Sequence, residues 1–114
     1  MLAPESTAEL LGWSPRPSGH TLAGGDPVIV YVQFTPQGAA VSDLGHTLTL
    51  VRRLPPLVRF AVRSTCRRND VQIDRGSLVI HVPPGGTVGE AVERLGRVCA
   101  EISRTASEGA SPAR

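Results

Sequence analysis

The sequence predicts an α+β domain of two layers, in which an antiparallel sheet of 4–5 strands carries two amphipathic helices packed on one face. Three observations support this fold class. Residues 27–34 form a strand-like run with two largely apolar faces, a hairpin pattern spans residues 71–82, and residues 55–68 and 87–102 repeat apolar positions with the period of a helix. The 114 residues, 40% of them hydrophobic, suffice for one domain whose core needs no metal or disulfide.

The first 26 residues are expected to form an arm, residues 1–26, outside the folded body. Residues 5–13 have the pattern of a short helix. The segment WSPRPSGHTLAGGDP follows, and its three prolines and three glycines predict a loop. Trp13 stands between the two, where it either pins the arm to the body or anchors a partner, a role in which tryptophan is enriched.

The segment PVIVYVQF, residues 27–34, has the strongest strand pattern in the chain, and its two largely apolar faces predict a central position in the sheet. TPQG has the composition of a turn, after which AAVSD is expected to pair back as a second strand. Asp43 and Gly45 in the stretch VSDLGHTLTL are typical turn residues. The next segment, HTLTLV, is either a third short strand or the lead-in to a helix, and its periodicity does not distinguish the two.

Residues 55–68 form the first predicted helix, because Pro55 and Pro56 suit a first helical turn and Asn69 suits the residue that ends it. Its expected inward stripe consists of Leu57, Val58, Ala61, Val62, Thr65 and Cys66.

Residues 71–82, VQIDRGSLVIHV, are expected to form a hairpin with DRGS as its turn. An unpaired edge of this hairpin could form a homodimer by pairing with a second copy. Thr87 and Glu90 form a capping box that opens the last helix. The folded body is therefore predicted as a single α+β domain over residues 27–104, followed by a disordered tail over residues 105–114.

Composition favours a cytoplasmic protein. The N-terminus lacks the basic and long apolar segments of a signal peptide, and no apolar run approaches the length of about 20 residues that crosses a bilayer. Cys66 and Cys99 have no spacing typical of a zinc site, and His20, His46 and His81 are scattered, so we expect no metal and no cofactor.

The most distinctive charged pattern lies on the first predicted helix. All 12 basic residues are arginines, and Arg59, Arg63 and Arg67 recur at every fourth position, opposite the apolar stripe. Phe60 is expected beside this row, and Arg52 precedes it. Such a face can bind an acidic protein surface or nucleic acid, or it can be a solvated surface whose charges pair within the molecule.

The leading hypothesis is a small non-enzymatic protein-binding or regulatory module, such as an adaptor or a phage-type inhibitor. It would bind a protein with an acidic surface through Arg59, Arg63, Arg67 and Phe60, with Arg52 and Trp13 as further candidate contacts. The alternative is a nucleic-acid-binding protein that uses the same arginine row, although a net charge of +2 is too small to indicate nucleic acid by itself.

A third hypothesis is a small enzyme that uses Asp26, Asp43 and His46, because a carboxylate can orient an imidazole base. No nucleophile motif such as G-x-S-x-G accompanies these residues. We therefore predict that Asp43 belongs to a turn and that the chain has no catalytic residues of this kind.

Four segments also carry a family resemblance: GGDPVIVYVQ, VSDLGHTLTLV, VQIDRGSLVIHV and TVGEAVERLGRVCAEIS. Over about residues 20–104 they resemble a small α+β domain family of bacteria and phages that has no assigned function. The chain departs from this pattern between Leu50 and Pro55, where it is short and interrupted by proline. The resemblance implies an α+β fold and a chain found near mobile elements, and it transfers no catalytic residue.

Overall fold

A computed structural model describes residues 12–52 and 54–109. Its five strands are β1 Ser14–Thr21, β2 Pro27–Thr35, β3 Gly38–Ser42, β4 Gln72–Asp74 and β5 Ser77–Val82. Its helices are α1 His46–Val51, α2 Pro56–Arg68 and α3 Val88–Gly109. All neighbouring strands pair antiparallel, in the order β1-β2-β3-β5-β4. The predicted α+β fold with an antiparallel sheet is therefore confirmed.

The two faces of the sheet differ. Val32 pairs with Val41, and Val41 pairs with Ile80, so these side chains share the face that the helices cover. On this face α3 packs across the strands, and its buried Leu95 and Ile102 complete the core. On the opposite face most side chains are half-buried or exposed, although Ser42 and Val79 are buried. This difference between the faces matches the prediction that the helices pack on one face.

The loop predicted between Trp13 and Pro27 was wrong for residues 14–21, which form strand β1 at the edge of the sheet, whereas residues 22–26 form a turn. Pro15 and Pro17 cannot donate backbone hydrogen bonds, but an edge strand has one side on which no partner needs them. Ser18 Oγ donates to the carbonyl oxygen of Val28 at 2.8 Å, and His20 Nε2 lies 2.9 Å from Glu93 Oε2 on α3. The proline-rich segment is thus part of the domain, while residues 5–11 of the predicted N-terminal helix lie outside the described residues.

Two further segments are more helical than predicted. The ambiguous segment HTLTLV is helix α1, so the helical layer has three helices instead of two. The last helix continues to Gly109, and Ala106 is buried, so residues 105–109 are not part of a tail. Residues 110–114 of the predicted tail lie outside the described residues.

Helix α2 packs mainly against α3 and meets the sheet at β4. Val62, Thr65 and Cys66 are buried as the apolar stripe predicted. Leu57 was predicted to point inward and is instead 79% exposed. Leu57 lies in the first turn of α2, where Val58 is the residue that points inward and is half-buried.

No helix within the described ranges combines the length and the apolar character needed to cross a membrane.

Candidate functional site

Helix α2 presents one strongly basic surface to solvent. The burial of Val62, Thr65 and Cys66 fixes the rotation of the helix, and the 3.6-residue period then turns Arg59, Arg63 and Arg67 outward. All three arginines are exposed, as predicted. We use the name arginine face for the surface formed by Arg52, Arg59, Arg63, Arg67, Phe60 and Leu57.

The guanidinium groups of this face have no internal partner in the part of the chain that the structure describes: those of Arg52, Arg59, Arg63 and Arg67 make no ion pair or hydrogen bond there. The neighbouring Arg68 behaves differently, since its Nη2 lies 3.4 Å from Glu101 Oε2 and 3.2 Å from Thr65 Oγ1. One interpretation of the sequence was that the charges of this helix pair within the molecule. That interpretation applies to Arg68 but not to Arg59, Arg63 and Arg67.

Two apolar side chains lie among these charges. Phe60 is 66% exposed and Leu57 is 79% exposed, and the separation of three residues places them next to each other on α2. Single exposed apolar residues are ordinary on protein surfaces. Here a phenyl ring and a leucine lie side by side within a cluster of guanidinium groups, so the surface is both apolar and positively charged.

The arginine face continues into a groove between α1, α2 and β4. This groove has a volume of about 230 Å³ and is lined by Leu48, Val51, Val62, Ile73, Gly76, Arg52, Arg59 and Arg63. Ile73 on β4 is 44% exposed within it. Arg52 therefore joins Arg59 and Arg63 around an apolar floor. Sequence reasoning missed Ile73 and the floor because they come from separate elements and no local pattern connects them.

Trp13 does not join the arginine face. It is half-buried and borders a shallow depression with Gln33, Ala40 and His81. Along their strands these three residues alternate with Val32, Val41 and Ile80. They therefore lie on the face of the sheet that points away from the helices. The structure therefore separates Trp13 from the other predicted contact residues.

The side chain of Asp43 binds backbone amides. Its Oδ1 accepts hydrogen bonds from the amides of Gly45 and Leu78, and its Oδ2 accepts one from the amide of Thr47, each at 2.9 Å. The residue is 2% exposed. Its carboxylate thus holds the turn, the first residues of α1 and the start of β5 together. The bonds within the turn fit the prediction of a turn residue, and the bond to β5 goes beyond it.

Of the proposed catalytic set, Asp43 and His46 border the same groove, whereas Asp26 does not join them. Asp26 is exposed in the β1–β2 turn, where its carbonyl oxygen accepts from the amide of Leu22 at 2.8 Å. The exposed imidazole of His46 makes an edge-on contact with the Tyr31 ring, with centroids 6.4 Å apart. Since the Asp43 carboxylate is occupied by amides, it does not orient the imidazole as a base.

This groove, of about 310 Å³, lies beside the turn and is bordered by Tyr31, Asp43, His46, Thr47 and Cys99. The Thr47 hydroxyl donates to Cys99 Sγ at 3.1 Å. Burial raises the pKa of Cys99 to about 12 and that of Cys66 to about 11, and the Asp43 carboxylate adds to both shifts. Both thiols are therefore protonated near neutral pH and are poor nucleophiles.

Among the described residues, no group of three or more histidine, cysteine or acidic side chains is positioned to hold a metal ion.

Comparisons of the chain with known protein families, with curated proteins and with solved structures found no match. The resemblance to the bacterial and phage domain family therefore stays a prediction.

Proposed function

We propose that this protein is a binding module that recognises an acidic segment of another protein through the arginine face. The observation that carries the proposal is the set of exposed arginines, unpaired within the described residues, around Phe60 and Leu57. Guanidinium groups pair with carboxylates through two parallel hydrogen bonds, and a partner that covers the face would strengthen these pairs by excluding water.

The apolar side chains favour a protein over a simple counterion. Energetic centres of protein interfaces are enriched in arginine and aromatic residues, and the nearby apolar contacts exclude water from them. Phe60 and Leu57 supply these contacts, while the arginines supply orientation and selectivity for negative charge. The partner segment should accordingly combine carboxylates with at least one apolar side chain.

Nucleic acid is the second candidate, and the exposure of Phe60 is the observation that favours it. A phenyl ring flanked by cations can stack on a base while the guanidinium groups contact phosphates. The net charge of +2 for the whole chain weighs against extensive phosphate contacts.

A charge-reversal experiment tests the proposal. The variant Arg59→Glu/Arg63→Glu changes the arginine face, and Arg16→Glu/Arg104→Glu makes the same change of charge at two exposed arginines elsewhere. A labelled synthetic peptide of alternating glutamate and valine serves as the acidic probe, and a single-stranded DNA of equal charge serves as the nucleic-acid probe. Fluorescence anisotropy at several salt concentrations measures both affinities.

We expect the first variant to bind the acidic peptide at least about tenfold more weakly than wild type, and the control variant to change by less than about threefold. Equal weakening of both variants would mean that net charge alone attracts the peptide, and would overturn the proposal. Tighter binding of the DNA than of the peptide, with a steep salt dependence, would replace it by the second candidate.

A further inference from the structure

Strand β4 leaves hydrogen-bonding groups of the backbone at the edge of the sheet. The β4–β5 hairpin pairs Asp74 with Ser77 and Ile73 with Leu78. The amide of Leu78 donates to Asp43 Oδ1 at 2.9 Å, and its carbonyl oxygen accepts from the amide of Asp43 at 3.2 Å. Both groups of Leu78 thus point away from β4. Leu78 and Ile73 are therefore a non-hydrogen-bonded pair, in which the backbone groups of both residues point away from each other. The N–H and C=O of Ile73 thus face the free edge.

The two edges of the sheet are unequal. Strand β1 forms the opposite edge and contains Pro15 and Pro17, which have no N–H to donate to an added strand. Strand β4 contains no proline, and its three residues are all exposed. Of the two edges, β4 is the one that offers both a donor and an acceptor at its centre.

The arginine face lies beside this same edge. Ile73 pairs with Leu78, which is buried against the helices, so the Ile73 side chain points to the helix side of the sheet. There it shares the groove with Arg59 and Arg63. A strand added to β4 would lie about 4.8 Å further out, with every second side chain on the helix side. Those side chains would meet the guanidinium groups.

We propose that the partner segment binds in extended form as a sixth strand on β4, with carboxylate side chains on its helix side that pair with Arg59 and Arg63. This inference rests on the proposed function, and it specifies the conformation and the side-chain pattern of the partner. Backbone hydrogen bonds to Ile73 supply affinity, and alternate acidic residues supply specificity, as in other cases of strand addition.

Charge complementarity selects this occupant over a second copy of the chain. Antiparallel pairing of two β4 edges would require a twofold axis normal to the sheet, which places both helix layers on the same side. The two arginine faces would then lie on the same side of the joined sheet, and like charges close together oppose association. An acidic segment removes that repulsion and uses the same free backbone groups.

The test uses one variant and one modified probe. Ile73→Pro removes the outward N–H without touching the β4–β5 hydrogen bonds, and Ile73→Ala is its control because it shortens the side chain and keeps the N–H. The probe is the alternating glutamate–valine peptide, and its control is the same peptide N-methylated on alternate residues. The second comparison uses wild-type protein only, so it stays informative even if the proline variant folds poorly.

We expect Ile73→Pro and peptide N-methylation each to weaken binding at least about tenfold, and Ile73→Ala to weaken it less. Hydrogen exchange of the Ile73 amide should slow when the unmodified peptide is added. Loss of binding in Arg59→Glu/Arg63→Glu, with normal binding of the N-methylated peptide and of Ile73→Pro, would overturn strand addition and leave the proposed function standing. Unchanged binding in the arginine variant would overturn both. A wild-type dimer that Ile73→Pro dissociates would assign the edge to a second copy instead.

Discussion

At the scale of single residues, Asp43 determines the path of three segments. A buried carboxylate is costly unless hydrogen bonds compensate for the water it loses. Here the amides of Gly45, Thr47 and Leu78 provide that compensation. The same carboxylate therefore stabilises the left-handed turn at Leu44 and Gly45, orients α1 and ties β3 to β5.

Replacing Asp43 by alanine should lower the free energy of unfolding by at least about 3 kcal/mol, because three buried amides lose a charged acceptor. Urea denaturation followed by circular dichroism measures this change. Asp26→Ala is the matched control, and it should alter the free energy of unfolding by less than about 0.5 kcal/mol because the side chain is exposed. Similar effects of the two substitutions would contradict the structural role of Asp43.

The sequence predicted the turn at Asp43 because its partner amides at Gly45 and Thr47 are local, and an Asp-x-Gly pattern indicates such contacts. The bond to Leu78 joins residues that are 35 positions apart, and no periodicity reveals it. The same limit applies to the candidate site. Helical spacing predicted the exposed arginines of α2, whereas the groove with Ile73 depends on how β4 meets the helices.

At the scale of elements, the contact between α3 and β1 explains how a proline-rich segment becomes part of the sheet. Gly96 on α3 faces Ser18, and a Cβ atom at Gly96 would overlap the Ser18 side chain. The missing side chain lets the helix approach the strand closely. The Ser18 hydroxyl is held by the carbonyl oxygen of Val28, so it has little freedom to move aside.

Gly96→Ala should therefore destabilise the protein by about 1–3 kcal/mol, although alanine favours a helix more than glycine does. Gly89→Ala in the first turn of α3 is the control, since a Cβ atom there meets nothing within 4 Å. That variant should be as stable as wild type or more stable by up to about 1 kcal/mol. Thermal unfolding compares the two, and equal melting temperatures would refute the close approach.

The elements with regular apolar spacing, namely β2, α2, β5 and α3, were predicted from the sequence because burial on one face imposes that spacing. Strand β4 is exposed, and it was predicted through the turn DRGS that joins it to β5. Strand β1 was missed because Pro15, Pro17 and Gly19 are typical of loops and few of its residues are buried. Its position is decided by pairing with β2 and by the contact with Gly96, both of which are tertiary.

At the scale of the whole molecule, the three helices converge on two thiols. Thr47 of α1 donates to Cys99 of α3, and Cys66 of α2 is buried close enough to raise the pKa of Cys99. Folding removes both thiols from water, which favours their neutral form. Unfolding therefore releases protons above the ordinary cysteine pKa of 9.0.

The free energy of unfolding should accordingly fall as the pH rises above about 9, by at most about 1.4 kcal/mol per pH unit for each thiol. Both folded pKa values are raised, so the contribution is complete below the pKa of the unfolded chain and is lost as the pH passes through the values of about 11 and about 12. Urea denaturation of wild type and of Cys66→Ala/Cys99→Ala at several alkaline pH values measures the difference. A parallel decline in both proteins would show that other groups cause it.

The unequal edges of the sheet have a consequence for self-assembly. Polymerisation of a β-protein into fibres needs a receptive strand at each end of the molecule, so that every added copy creates a new docking point. Pro15 and Pro17 deprive one end of backbone donors. A molecule built in this way can accept one strand at β4, and the complex then offers no second open edge from which a fibre could grow.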